Sequence, residues 1–109
     1  MPPSIVADLH SHTKASDGTL RIEEIPTAAK EAGVNWVAVT DHDRIHSGLD
    51  DPVTTIDGIN IIRGIELRVQ TNTQRIDLLG YHVEPTTELT SEIARLQENR
   101  INRAQKIIA

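Results

Sequence analysis

The chain has no cysteine and no phenylalanine, and its aromatic side chains, 2% of 109 residues, are Trp36 and Tyr81. Without cysteine, disulfides and thiolate metal ligands are excluded, and the sequence says little about redox compartment. So little aromatic material means an aliphatic core of Ile, Val, Leu and Ala, drawn from a hydrophobic fraction of 38%. A small chain with such a core has a thin stability margin. No stretch is apolar over transmembrane length, and the start, Met1-Pro2-Pro3-Ser4, has neither the charged region nor the apolar run of a signal peptide. A cytoplasmic protein with no membrane partner is expected. No Lys/Arg block forms a basic footprint, and the net charge is -5, which argues against binding an extended nucleic-acid scaffold. A nucleotide substrate stays open, because bound cations would reverse the local field.

Against these absences stands a regular alternation of segments. Ile5-Val6-Ala7 is a short apolar run that opens into Asp8-Leu9-His10-Ser11-His12, a strand ending in a polar loop. Ser16-Asp17-Gly18 is a turn signal. Ile22, Ile25, Ala28, Ala29 and Ala32 recur at helical spacing, with Pro26 tolerated in a first turn and Gly33 as the C-terminal cap. Trp36 to Thr40 reads as a second strand and ends in Asp41-His42-Asp43. A weaker helical or loop segment is expected over 47–56. Ile59 to Ile65 reads as a third strand ending at Glu66. Glu66–Gln70 and Arg75–Val83 then flank a loop of hairpin length. From Thr90 onward Ile93, Leu96, Ile101, Ala104, Ile107 and Ile108 follow helical spacing, with Thr90 or Ser91 as cap. The order predicts an α/β fold, with parallel strands, crossover helices and a hairpin. The helix is still running at Ala109, which predicts an interrupted unit.

Three strand ends carry metal-ligand chemistry: His10 and His12, then His42, then Glu66, with Asp17 on the first loop. Parallel strands put their C-terminal ends on one face, so ligands distant in sequence converge. Residues i and i+2 of a strand share a side, which lets His10 and His12 grip one ion. Imidazole and carboxylate suit zinc, manganese and iron. Asp8 shares their parity and is placed to orient a histidine, as Asp41 and Asp43 are beside His42. Any one of these residues alone is more often a surface or turn residue; the joint pattern at strand ends is what points to metal. His46 enters only as a neighbour.

Together, Asp8-Leu9-His10-Ser11-His12-Thr13, Ser16-Asp17-Gly18, Thr40-Asp41-His42-Asp43, Gly64-Ile65-Glu66 and Leu78-Leu79-Gly80-Tyr81 resemble the polymerase and histidinol phosphatase, or PHP, superfamily. The final helix, with Arg100 and Arg103, is similar to the branch that includes nucleoside bisphosphate phosphatases and a 5′-to-3′ RNA exonuclease. The resemblance implies a distorted barrel of seven β/α units, a (β/α)7 TIM-like barrel of which residues 1–109 form the N-terminal part. It implies up to three divalent ions (Mn, Zn, Fe or Mg) at the strand C-termini. His10, His12 and Glu66 look like ligands of one ion, Glu66 like a bridge to a second, and Asp17 and His42 like ligands of a third. Family members usually place a histidine before Leu-Leu-Gly-Tyr; here that position is Asp77, a carboxylate ligand that would shift preference toward manganese or magnesium. His82, at odd separation from Asp77, faces the other side of a regular strand and reads as a surface histidine. The family completes its site with histidines and an Asp-x-His motif from later strands, beyond this chain.

The expected activity is metal-dependent hydrolysis of a phosphomonoester, on a phosphorylated small molecule, nucleotide or short RNA. The nucleophile would be metal-bound water, with no catalytic protein side chain. Lys14, Arg63 and Arg68 are candidate phosphate contacts, each more simply read as a surface charge. Two alternatives stand beside this. One is amidohydrolase-like C–N bond hydrolysis, disfavoured by Glu66 where a lysine would be expected to bridge. The other is a non-catalytic metal-binding half-barrel that self-associates through an open sheet edge.

Overall fold

The computed structural model describes the backbone of residues 4–70 and 72–108 and the side chains of residues 4–69 and 72–98. Strand β1 (Ala7–Ser11) leads through a loop and a 3-10 turn (Ile22–Glu24) into helix α1 (Ile25–Ala32). Pro26 sits in the first turn of α1, where its missing N–H costs nothing. Gly33 closes the helix with a left-handed φ of 74°, its N–H reaching the carbonyls of Ala29 and Lys30. Strand β2 (Trp36–Val39) follows and pairs parallel to β1.

The stretch expected to be helical or looped, 47–56, instead ends in a strand. It forms β3 (Val53–Ile56), antiparallel to β4 (Ile59–Gln70). Asp57 and Gly58 between them have φ of 51° and 80°; two left-handed residues make the tight hairpin turn that Asp-Gly favours. The crossover from β2 to β4 therefore carries a hairpin strand where a helical or loop segment was expected. β4 pairs parallel to β2 over Asn60–Arg63, then antiparallel to β5 (Arg75–Tyr81) over Gly64–Gln70. The result is a five-stranded mixed sheet of order β1-β2-β4-β3, with β5 also on β4. Its parallel part is β1-β2-β4, and the fold is α/β with few helices.

The core is aliphatic, as the composition demands. Ile25 and Ala29 of α1 meet Val37 and Val39 of β2, Ile59 and Ile61 of β4, and Leu49. Each fully buried Ile, Leu or Val contributes about 1.5–3 kcal/mol. Helix α2 (Thr87–Ile108) starts three residues before the expected cap. Thr86 is the cap, its Oγ1 accepting the N–H of Leu89 at 3.1 Å, while Thr90 Oγ1 bonds back to the carbonyl of Thr86. Ile93 buries against the sheet side, and Gln97 Nε2 donates to the carbonyl of Asp43 at 2.8 Å. The side chains of Arg100, Ile101, Arg103, Ala104, Ile107 and Ile108 lie outside the described residues. Among the described residues, no helix is long and apolar enough to cross a membrane.

Candidate metal centre

The parallel arrangement brings the C-terminal ends of β1, β2 and β4 together. Beyond Val39 the chain of β2 stays beside β4: Glu66 N–H donates to the carbonyl of Asp41 at 3.0 Å and Asp43 N–H to the carbonyl of Glu66 at 2.9 Å. His42 and Glu66 are thereby locked side by side. Thr40 N–H donates to the carbonyl of Ser11 at 2.8 Å, holding the end of β1 to the end of β2.

Glu66 is the hub. Its carboxylate is 5% exposed, with Oε2 at 3.2 Å from His10 Nε2 and Oε1 at 2.9 Å from His12 Nε2 and 3.2 Å from His42 Nδ1. Asp17 lies on the other side of the imidazoles, Oδ1 at 2.5 Å from His12 Nδ1 and Oδ2 at 3.0 Å from His42 Nε2. The rings of His12 and His42 are 4.3 Å apart, and those of His10 and His12 5.1 Å. Two overlapping ligand groups result, His10–His12–Glu66 and His12–Asp17–His42, each with donor atoms within 4.8 Å of one another.

The donor chemistry fits divalent ions. His12 Nε2 and Glu66 Oε1 are both sealed from solvent, and neither makes a hydrogen bond of acceptable geometry although they face each other at 2.9 Å. Buried polar atoms are nearly always satisfied, and a buried carboxylate needs a cation. Among the described residues, the ion-pair partners of Glu66 are His10, His12 and His42. A proton on His12 Nδ1 satisfies Asp17 and leaves a lone pair on the buried Nε2, on the side of Glu66, the arrangement by which a carboxylate orients a metal-binding imidazole. Desolvation tends to raise the Asp17 pKa, but the hydrogen bond from His12 and the charges of His42 and His12 outweigh it and leave the group below its ordinary value.

The hydrogen bonds of the supporting aspartates run to backbone N–H and hydroxyl groups. β1 carries an irregularity: Asp8 pairs with Val37, but Ser11 pairs with Val39, so three steps match two. A bulge of this kind re-aims side chains. Asp8 lines a pocket beside α1 together with His10, His12 and Asp17, and its carboxylate accepts the backbone N–H of His10 at 3.1 Å. Asp41, with no exposure, serves the loop after β1. It accepts from Thr13 N–H, Thr13 Oγ1 and Ser16 Oγ at 2.7, 2.8 and 2.6 Å. Asp43, in a left-handed conformation at φ 47°, accepts the N–H of Arg68 at 3.3 Å. Nothing in the sequence signals the bulge or the loop anchor.

Asp77 joins neither ligand group. It lies opposite Arg68 across the β4–β5 pair, with Arg68 Nε at 3.3 Å and Arg75 Nη2 at 3.6 Å. His46 turns inward on its own loop, Nδ1 accepting the N–H of Gly48 at 2.9 Å. His82 is exposed, as expected. Arg63 is no surface charge: it is buried, donating to the carbonyls of Val83, Leu49 and Asp50 and pairing with Glu84.

A model of the PHP domain matches residues 8–107. The chain belongs to the PHP family. It is 32% identical to the 5′-3′ exoribonuclease Rnm of Escherichia coli K12 over 97% of this chain and 37% of that protein. It is 28% identical to the 3′,5′-nucleoside bisphosphate phosphatase of Chromobacterium violaceum over 92% of this chain and 36% of that protein. A solved structure described as an amidohydrolase from Chromobacterium violaceum, with sulfate bound and no metal, superposes with a TM-score of 0.70 at 26% identity. That match covers 92% of this chain and 36% of the other. The chain thus spans little more than a third of the length of these PHP relatives. PHP proteins depend on metal, and the His/Glu groups of this chain are placed to hold it.

Proposed function

We propose that this chain is the N-terminal part of a metal-dependent phosphoesterase whose complete domain is a (β/α)7 barrel. The carrying observation is the Glu66 carboxylate, buried and shared among His10, His12 and His42, with the facing, unsatisfied pair His12 Nε2 and Glu66 Oε1. His10, His12 and Glu66 would hold one ion, and Asp17 and His42 would complete the set, for up to three ions in the whole domain. Divalent ions there would lower the pKa of a coordinated water and neutralise phosphate oxygens. Asp17 fixes the His12 ring through Nδ1. Glu66 offers its two oxygens to different partners and so can serve two positions at once. Manganese, zinc, iron or magnesium all suit a histidine–carboxylate set.

The proposed substrate is a phosphomonoester of a nucleotide or of a short RNA: the bisphosphate phosphatase relative's name gives phosphomonoester chemistry, and the exoribonuclease relative's name gives only RNA as a substrate. A second reading, hydrolysis of a C–N bond, is favoured only by the name of the superposed amidohydrolase. Glu66 stands where that chemistry would place a bridging lysine. The test is an assay of phosphate released from adenosine 3′,5′-bisphosphate by the complete protein with manganese. Release that stops on chelation and returns with metal is expected; no release with any divalent ion overturns the reading.

A further inference from the structure

Tyr81 ends β5 and pairs with Gly64 of β4, two residues before Glu66 and on the same face of the strand. Its hydroxyl donates to the carbonyl of Leu9 in β1 at 2.8 Å, across 72 residues of sequence. In the sheet, β4 and β2 lie between β5 and β1. Strands sit about 4.8 Å apart, so a flat sheet would separate β5 from β1 by roughly 14 Å, beyond the reach of a tyrosine side chain. The sheet therefore curls, and the Tyr81 side chain spans the curl as a chord between the strand that follows Glu66 and the strand that carries His10 and His12.

The far end of that chord falls on a particular peptide group. The Leu9 carbonyl and the His10 N–H belong to one rigid, planar unit. Tyr81 holds the carbonyl end, and Asp8 Oδ1 accepts the N–H end at 3.1 Å. The unit lies between Asp8 and Ser11, where the register of β1 against β2 shifts. Strand pairing is disrupted at such an irregularity and the local backbone direction changes, so two side chains brace the plane there. His10 is also the candidate ligand with the least packing of its own. Its side chain is 52% exposed, against 18% for His12 and 24% for His42. Turning the peptide plane would swing its Cβ and carry Nε2 away from Glu66 Oε2, now at 3.2 Å.

We infer that Tyr81 is a positioning residue: through the Leu9 carbonyl it aims His10 at the ion shared with His12 and Glu66. The inference rests on the metal reading above and deepens it. It gives Tyr81 a task at the centre without making it a ligand.

The test follows the histidine ring signals by nuclear magnetic resonance while zinc is titrated into the metal-stripped full chain, for wild type and Tyr81→Phe. Phenylalanine keeps the ring and removes only the donor. In wild type the His10 ring should respond to zinc. In Tyr81→Phe the zinc concentration at half-change of the His10 signal should rise about tenfold, the usual effect of removing a group that orients a metal ligand from behind. The half-change of the His42 signal should stay where it is in wild type, whereas a general loosening of the fold would move both histidines alike. An unmoved His10 half-change, or an equal shift at His10 and His42, overturns the inference while the metal reading stands. A wild-type His10 ring that does not respond to zinc overturns both.

Discussion

The carboxylate of Asp41 accepts hydrogen bonds from both the backbone N–H and the hydroxyl of Thr13, at 2.7 and 2.8 Å, in a site with no solvent exposure. With Ser16 Oγ as a third donor, Asp41 fastens the loop that ends in Asp17. Its own carbonyl meanwhile takes the N–H of Glu66. One residue thus ties together the β1 loop, the end of β2 and β4, the three segments that carry the cluster.

Asp41→Asn places an amide N–H against one of those three donors and should destabilise the metal-free chain by about 2 kcal/mol. The drop is read as a lower urea midpoint at unchanged slope.

Gly18 lies where a side chain would strike the carbonyl of His12 and come within 2.8 Å of Thr13 N. It closes the loop through its N–H to the carbonyl of Thr13 at 2.8 Å. Gly18→Ala must push the loop outward and carry Asp17 away from His12 and His42. The expected outcome is a loss of about 1–3 kcal/mol in stability and weaker metal binding, seen together in thermal melts with and without manganese.

Arg63 is a structural clamp. It joins β4 to residues 49–50 and 83–84 through three carbonyls and Glu84. Arg63→Met leaves those buried acceptors unsatisfied and should cost about 3 kcal/mol. Arg63→Lys should recover little of it, because an ammonium lacks the guanidinium fork. Chemical denaturation of both variants measures this.

Acid titration gives a signed prediction for Asp77. Desolvation tends to raise its pKa, but the hydrogen bond from Arg68 and the charges of Arg75 and Arg68 outweigh it and hold the carboxyl below its ordinary value. A pKa lowered by folding adds stability above the unfolded value of about 4 and loses it as pH falls through the folded value. Asp77→Asn should therefore be less stable than wild type at pH 7, with the difference vanishing at about pH 2. Both partners are solvent-exposed, so molar salt should shrink the difference at pH 7. Urea midpoints at both pH values and two salt concentrations check the sign.

Much of the site was legible because its logic is one-dimensional. Apolar runs that stop at His10, His12, His42 and Glu66 mark strand ends, and parallel pairing brings strand ends together. Gly33 and Pro26 likewise bounded α1 through their own backbone chemistry. What stayed hidden depends on register and on distant partners. The β1 irregularity between Asp8 and Ser11 changes which residues share a face, and nothing in Asp-Leu-His-Ser announces it. Arg63 looked like a surface cation because the carbonyls that bury it come from segments up to twenty residues away. β3 does carry a signal in the sequence: β-branched Val53, Thr54 and Thr55 lead to Asp57-Gly58, a dipeptide suited to a tight hairpin. Four residues after Pro52 were too short a run to show a period.

His10, His12 and Glu66 are proposed to share a divalent cation. It is tested most directly by titrating manganese or zinc into the metal-stripped full chain and counting bound metal, for wild type and Glu66→Gln. At least one ion per wild-type chain with a raised melting temperature is expected, with loss of both in a Glu66→Gln chain that is still folded. A folded wild type that binds neither ion, or a Glu66→Gln chain that binds as well as wild type, would contradict it.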